Sequence, residues 1–122
     1  MPQNYKKIAV LMGGKSSEAD ISLRTGAAIV KGLSEAGYEA IPVELSKEDN
    51  SFTLPQGTDA VYIALHGAFG EGGAVQKQLT EMGMPYTGCN EAASKIGFDK
   101  ILSRKAFANN GVTIPNGYVI EA

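Results

Sequence analysis

Apolar and polar positions divide the chain into short runs that alternate between two periods. Lys7 to Met12 is a continuous apolar run bounded by Lys6-Lys7 and Gly13-Gly14, the pattern of a short buried strand. After the glycine turn, Ile21, Ala28, Ile29 and Leu33 recur at helical spacing. Ser17 followed by Asp20 resembles a capping box, and Gly37 marks the stop. Glu39 to Leu45 reads as a second strand, with Pro42 tolerable only at a sheet edge. Ser46 to Thr58 is a polar surface connection with no chemistry to name. Asp59 to Leu65 is a third strand, Gly73 to Met82 a helix, and Met84 to Thr87 a short fourth strand ended by Gly88. Asn90 and Asp99 are placed to cap two further helices, the second stopping at Asn110-Gly111. Gly117 to Glu121 begins another strand.

Strands alternating with helices predict an α/β fold. It is a small open parallel sheet of the Rossmann-like kind, with helices on both faces, right-handed crossovers and strand order 2-1-3-4. In that order the loops after strands one and three flank the point where the chain reverses direction, the usual binding crevice of such sheets. Two glycine loops would then converge there. They are Gly13-Gly14-Lys15-Ser16-Ser17-Glu18 and Leu65-His66-Gly67-Ala68-Phe69-Gly70-Glu71-Gly72-Gly73.

Composition narrows the function classes. A chain of 122 residues with 43% hydrophobic residues can bury one core, and a net charge of -2 without a basic cluster argues against nucleic acid. One cysteine, Cys89, rules out an internal disulfide and fits a small apolar filler in a reducing compartment. No apolar run reaches membrane-spanning length and Met1 to Lys7 has no signal-peptide core, so the expected location is cytoplasmic. The first glycine loop is neither a Walker loop nor a GxGxxG dinucleotide fingerprint. It still offers free amides at a helix start. Glu18, in the first helical turn, either complements the helix dipole or captures a ligand ammonium. His66, the only histidine, is either a hydrogen-bonded core residue or a group that orients a ligand from a strand end. Glu71 either holds that loop or is a solvated charge. No histidine or cysteine cluster suggests a metal site.

Five segments in register resemble one family. Ile8 to Glu18, Ile21-Ser22-Leu23, Ile63 to Gly67 with Gly70-Glu71, Pro85-Tyr86-Thr87-Gly88, and Asp99-Lys100 look like the amino-terminal part of D-alanine–D-alanine ligases, across nearly the whole chain. The resemblance implies an ATP-grasp ligase that joins two D-alanines with ATP and magnesium through an acylphosphate, for peptidoglycan precursors. Residues 1–98 would be the substrate-binding domain. Residues 99–122 would be a hinge helix and the start of the central domain, and the isolated chain would be inactive. It further implies that Glu18 binds the first D-alanine's ammonium and that His66 and Gly67 lie beside it. Ser22 would be near the pocket, Glu71 would support the loop and Lys100 would reach the ATP phosphates. A homodimer through this region is also implied. Two readings from other classes are a different ATP-grasp carboxylate-amine ligase and a non-catalytic binding or dimerisation module. The family usually carries Gly-Glu-Asp-Gly where this chain has Gly70-Glu71-Gly72-Gly73, and Ser where it has Cys89. Glycine at 72 predicts a freer loop.

Overall fold

The structure is a computed structural model and describes residues 4–122. Three parallel strands, β1 (Lys7–Gly13), β2 (Glu39–Leu45) and β3 (Ala60–Ile63), form a sheet in the order β2-β1-β3. Five helices complete the fold: α1 (Ala19–Glu35), α2 (Ala68–Glu71), α3 (Ala74–Glu81), α4 (Glu91–Phe98) and α5 (Lys100–Asn109).

The central strand β1 is buried because both its faces are covered. Successive side chains of a strand point to opposite faces. Val10 and Met12, with Ala64, therefore meet Leu23, Ile29, Val30 and Leu33 of α1. Ala9 and Leu11 join Leu45, Val61 and Leu65 against Val75 and Leu79 of α3 on the other face. Helices thus lie on both faces, as the strand–helix alternation predicts. Pro42 stands opposite Val10 in β2, which pairs only with β1, so its missing N–H falls on an edge strand.

The inward stripe of α1 is not wholly the one read from spacing. Ile29 and Leu33 pack inward, but Ile21 is 53% exposed and Ala28 is exposed too. Ser22 and Gly26 take the buried positions instead. A Cβ on Gly26 would come within 2.6 Å of Met12, so glycine lets the helix lie close on β1. The helix ends as expected: Gly37 adopts φ +93° and the Tyr38 N–H donates to Leu33 O at 3.0 Å.

Two expected strands are absent. The segment around Tyr86 takes the fourth position beside β3, but as a single parallel bridge, Val61 to Tyr86. The ladder stops after Val61 N–H donates to Pro85 O and Thr87 N–H to Val61 O. The next strand amide, Ile63 N–H, is taken by the Thr87 hydroxyl at 3.0 Å rather than by backbone. Gly88, at φ +92°, then turns the chain away. Gly117 to Glu121 forms no strand either: among the described residues no strand pairs with it, and Arg104 Nη2 donates to Pro115 O just before it.

Both predicted caps at the later helices are present. Asn90 Oδ1 accepts from Ala93 N–H, and Asp99 Oδ1 accepts from Ile101 and Leu102 N–H. Asp99 is at once the C-cap of α4 and the N-cap of α5.

Candidate functional site

The first loop leaves β1 through Gly13 and Gly14, at φ +79° and +87°, angles that glycine adopts without strain. It is braced from the connection that carried no message in the sequence. Asn50, itself at φ +61°, points Oδ1 at the loop and accepts the Lys15 N–H at 2.7 Å. A Cβ on Gly14 would lie 2.6 Å from that same oxygen. The expected Ser17–Asp20 capping box does not form. Ser16 does the work, its hydroxyl accepting Glu18 N–H and its carbonyl accepting Ala19 N–H, so that Glu18 becomes the residue before the helix with no side-chain cap. Its carboxylate is left free for other use.

The second loop leaves β3 through buried Ala64 and Leu65 into His66 and Gly67, the latter at φ +87°. The Gly67 N–H donates to Glu71 Oε2 at 3.1 Å. His66 is half-buried between two elements. Its Nε2 lies 3.4 Å from Thr25 Oγ1 on α1, and its Nδ1 lies 3.9 Å from Glu71 Oε1. Thr25 spends its own proton on Ile21 O at 3.0 Å, so toward the ring it acts as acceptor and selects the tautomer with hydrogen on Nε2. The separation to Glu71 is too long for a direct hydrogen bond. Gly72 closes the turn: its N–H donates to Ala68 O at 2.8 Å, and a Cβ there would come within 2.6 Å of that oxygen. The freedom expected of this glycine is taken up by a close backbone approach.

Ser22 joins the two loops from beneath. It is fully buried, accepts the Gly13 N–H at 2.9 Å and donates to Ala64 O at 2.7 Å. Above it the loops touch: a Cβ on Gly67 would stand 2.8 Å from Ser16 Oγ and 3.8 Å from Glu18 Oε2. The fold therefore gathers Glu18, His66, Gly67 and Glu71 at the carboxyl edge of β1 and β3, with Ser22 as the tie below them. Two carboxylates flank a half-buried imidazole and a glycine. That arrangement can accept hydrogen bonds from a cationic group, with charge assistance.

Beside this edge lies a cleft of about 630 Å³ lined by Leu65, His66, Glu71, Gln76, Cys89 and Phe98 among others. His66 and Glu71 line it, and Glu18 does not. Lys100 is not brought to this edge. It opens α5 and borders a separate surface cavity of about 280 Å³ with Arg104 and Tyr118. Among the described residues no group of three His, Cys, Asp or Glu is placed to hold a metal ion.

Three contributors escaped sequence reading. Thr25 follows Glu18 and Ser22 at helical spacing, so the shared face of α1 was a usable signal. Asn50 acts across the fold, and Gln76 through one bond to the turn before its helix; neither lies on a periodic pattern.

Comparison with known proteins fixes the family. Residues 7–58 match the family described as D-ala D-ala ligase N-terminus. The D-alanine–D-alanine ligase of Desulforudis audaxviator is 40% identical over 96% of this chain, and that of Geobacter sulfurreducens 43% identical over 88%. The chain belongs to the D-alanine–D-alanine ligase family, as its amino-terminal domain. It spans 38% and 34% of the length of those two relatives. Among solved structures, the D-alanine–D-alanine ligase of Bacillus anthracis complexed with ATP superposes with a TM-score of 0.79 at 35% identity, over 93% of this chain and 38% of that one. The ligase of Aeromonas hydrophila gives 0.80 at 29% identity, over 95% and 50%. The ligase domain and its neighbours thus share the small open parallel sheet. No described helix is long and apolar enough to cross a membrane.

Proposed function

We propose that this domain binds the first D-alanine of an ATP-dependent D-alanine–D-alanine ligase in a bacterial cytoplasm, and that it is inactive without the ATP-grasp domains. One observation carries the reading: the Glu18 carboxylate, with no capping bond of its own, lies beside Gly67, next to a histidine whose ring meets Thr25. An α-amino acid needs an anion for its ammonium, which Glu18 supplies, and donors for its carboxylate, which the loop amides can supply. Ser22 and Glu71 hold the loops in place, and Gly67 gives the substrate room. Residues 1–98 form the binding unit, and residues 99–122 the hinge helix and the entry to the next domain. ATP and magnesium are bound mainly by other segments of the ligase, with Lys100 reaching the phosphates. The assembly is a homodimer.

The test is steady-state kinetics of the ligase carrying this domain. Glu18→Gln removes a charge-assisted hydrogen bond of about 1.5 to 3 kcal/mol, so KM for the first D-alanine is expected to rise roughly 10- to 100-fold. Folding should be unaffected, since the side chain caps nothing. An unchanged KM defeats the assignment. A panel of other amino acids in the same phosphate-release assay separates D-alanine from the substrate of a different carboxylate-amine ligase.

A further inference from the structure

Gln76 of α3 is buried, 5% exposed, in the wall of the cleft that His66 and Glu71 also line. Its Nε2 donates to the Gly70 carbonyl at 2.8 Å, while its Oε1, equally buried, meets no donor among the described residues. The amide cannot be turned over to improve this. A carbonyl only accepts, so the NH2 end must face Gly70 and the oxygen must face away. A buried acceptor without a partner costs stability, and an apolar side chain of similar size would not incur that cost. What the glutamine contributes is therefore the placement of Gly70.

Gly70 sits where the chain stops being α2 and turns through Gly72-Gly73 into α3, so its carbonyl lies at a helix break and Gln76 supplies the donor. On its other side Gly70 presses on Leu65, so closely that a Cβ would come within 2.4 Å of the Leu65 Cβ. Leu65 and Gln76 together hold this one residue between them. The next residue is Glu71, whose Oε2 accepts the Gly67 N–H and whose Oε1 stands 3.9 Å from His66 Nδ1.

We propose that Gln76 is a positioning residue of the amino-acid site: by anchoring the Gly70 carbonyl it sets the Glu71 carboxylate against the Gly67 amide and the His66 ring. The proposal rests on the reading of the His66-Gly67 loop as the substrate loop.

The experiment compares solvent-exchange rates of two amide protons in this chain by NMR. Gly67 N–H reports on Glu71. Gly13 N–H, held by Ser22 on the other loop, reports on overall opening. Gln76→Leu is expected to speed exchange at Gly67 about tenfold relative to Gly13. In a Glu71→Gln background the same substitution is expected to add nothing, because its route runs through that carboxylate. Should Gln76→Leu fail to fold, Gln76→Asn, too short to span to Gly70 but still polar, gives the same contrast. Equal acceleration at Gly67 and Gly13, or effects that multiply in the double variant, overturns the proposal. In the ligase, Gln76→Leu is expected to raise KM for the first amino acid about tenfold, and no rise while Gly67 is deprotected also overturns it. The exchange measurement needs no substrate. It can therefore stand while the Glu18→Gln result fails, and fail while that result stands.

Discussion

Ser22→Ala removes one oxygen from the tie between the two loops. Ser22 is fully buried and uses its hydroxyl in both directions, accepting from Gly13 N–H at 2.9 Å and donating to Ala64 O at 2.7 Å. Alanine keeps the helix and fills nearly the same space, so its whole effect is to leave a backbone donor and a backbone acceptor buried without partners. Each such group costs about 1 to 3 kcal/mol. Partial relaxation toward the loops brings the expected loss to roughly 2 to 4 kcal/mol, a large share of the about 5 to 15 kcal/mol that holds a typical domain together. Urea unfolding followed by circular dichroism is the assay. With a slope of about 1 to 3 kcal/mol per molar, the midpoint should fall by roughly 1 to 2 M at unchanged slope. Ser34→Ala, on the exposed side of the same helix, is the control and should stay within about 0.5 kcal/mol of the parent. A Ser22→Ala loss no larger than that of Ser34→Ala would refute the account of Ser22 as the tie.

Three further outcomes are expected. Asp59 accepts the Lys7 and Lys6 N–H groups at 2.8 and 2.9 Å, and these bonds hold its carboxyl below the usual carboxylate range. A depressed folded value means that the contribution is complete above the unfolded value, about 3.9, and is lost as pH falls through the folded one. Asp59→Asn should therefore lower stability at neutral pH and converge with the parent in acid, as read by denaturation at a series of pH values, and a constant difference down to the acid limit contradicts this. Gly70→Ala must push against Leu65, with a Cβ 2.4 Å from the Leu65 Cβ and 3.1 Å from its carbonyl carbon. A loss of about 2 to 3 kcal/mol is expected, seen as a fall in melting temperature of roughly 10 °C, and an unchanged melt rules the contact out as a constraint. At Asn50, at φ +61°, alanine loses the bond to Lys15 N–H and sits badly on the backbone, whereas glycine loses only the bond. Asn50→Ala should be less stable than Asn50→Gly by about 1 kcal/mol, and the reverse order in thermal melts would show that the backbone angle is not what selects asparagine there.

Local chemistry made most of this fold legible. The apolar run of β1 between lysines and glycines, the stop at Gly37, and the caps Asn90 and Asp99 each act within a few residues, so their meaning was complete in the sequence. The convergence of the two glycine loops followed from topology alone. What stayed hidden depends on individual partners that the helical and strand periods do not mark. Ser17 looked like a cap until Ser16, one residue earlier, proved to hold both amides. Ile21 matched the helical period but faces outward, because the polar Ser22 has two backbone partners inside and fixes the rotation of the helix. The fourth strand carried the right residues and lost its ladder to one hydroxyl, that of Thr87. Asn50 and Gln76 meet their partners 35 and 6 residues away through single hydrogen bonds, which no periodicity records.

Asp99 gives the domain a mechanical property. With no spacer between α4 and α5, the whole change of direction falls on one pair of backbone torsions, at φ -89° and ψ 113°. The same residue grips both sides of that corner. Its N–H is bound to Lys95 O, its side chain to the first amides of α5, and the Ser103 hydroxyl reaches across to Ile96 O. The α5 helix, with its 10 residues, is a lever about 15 Å long, and a twist of about 10° at the corner would carry its far end through roughly 3 Å. Whatever hangs from that end is held at an angle that the Asp99 grips and the Ser103 bond set together, and it swings only as they let go.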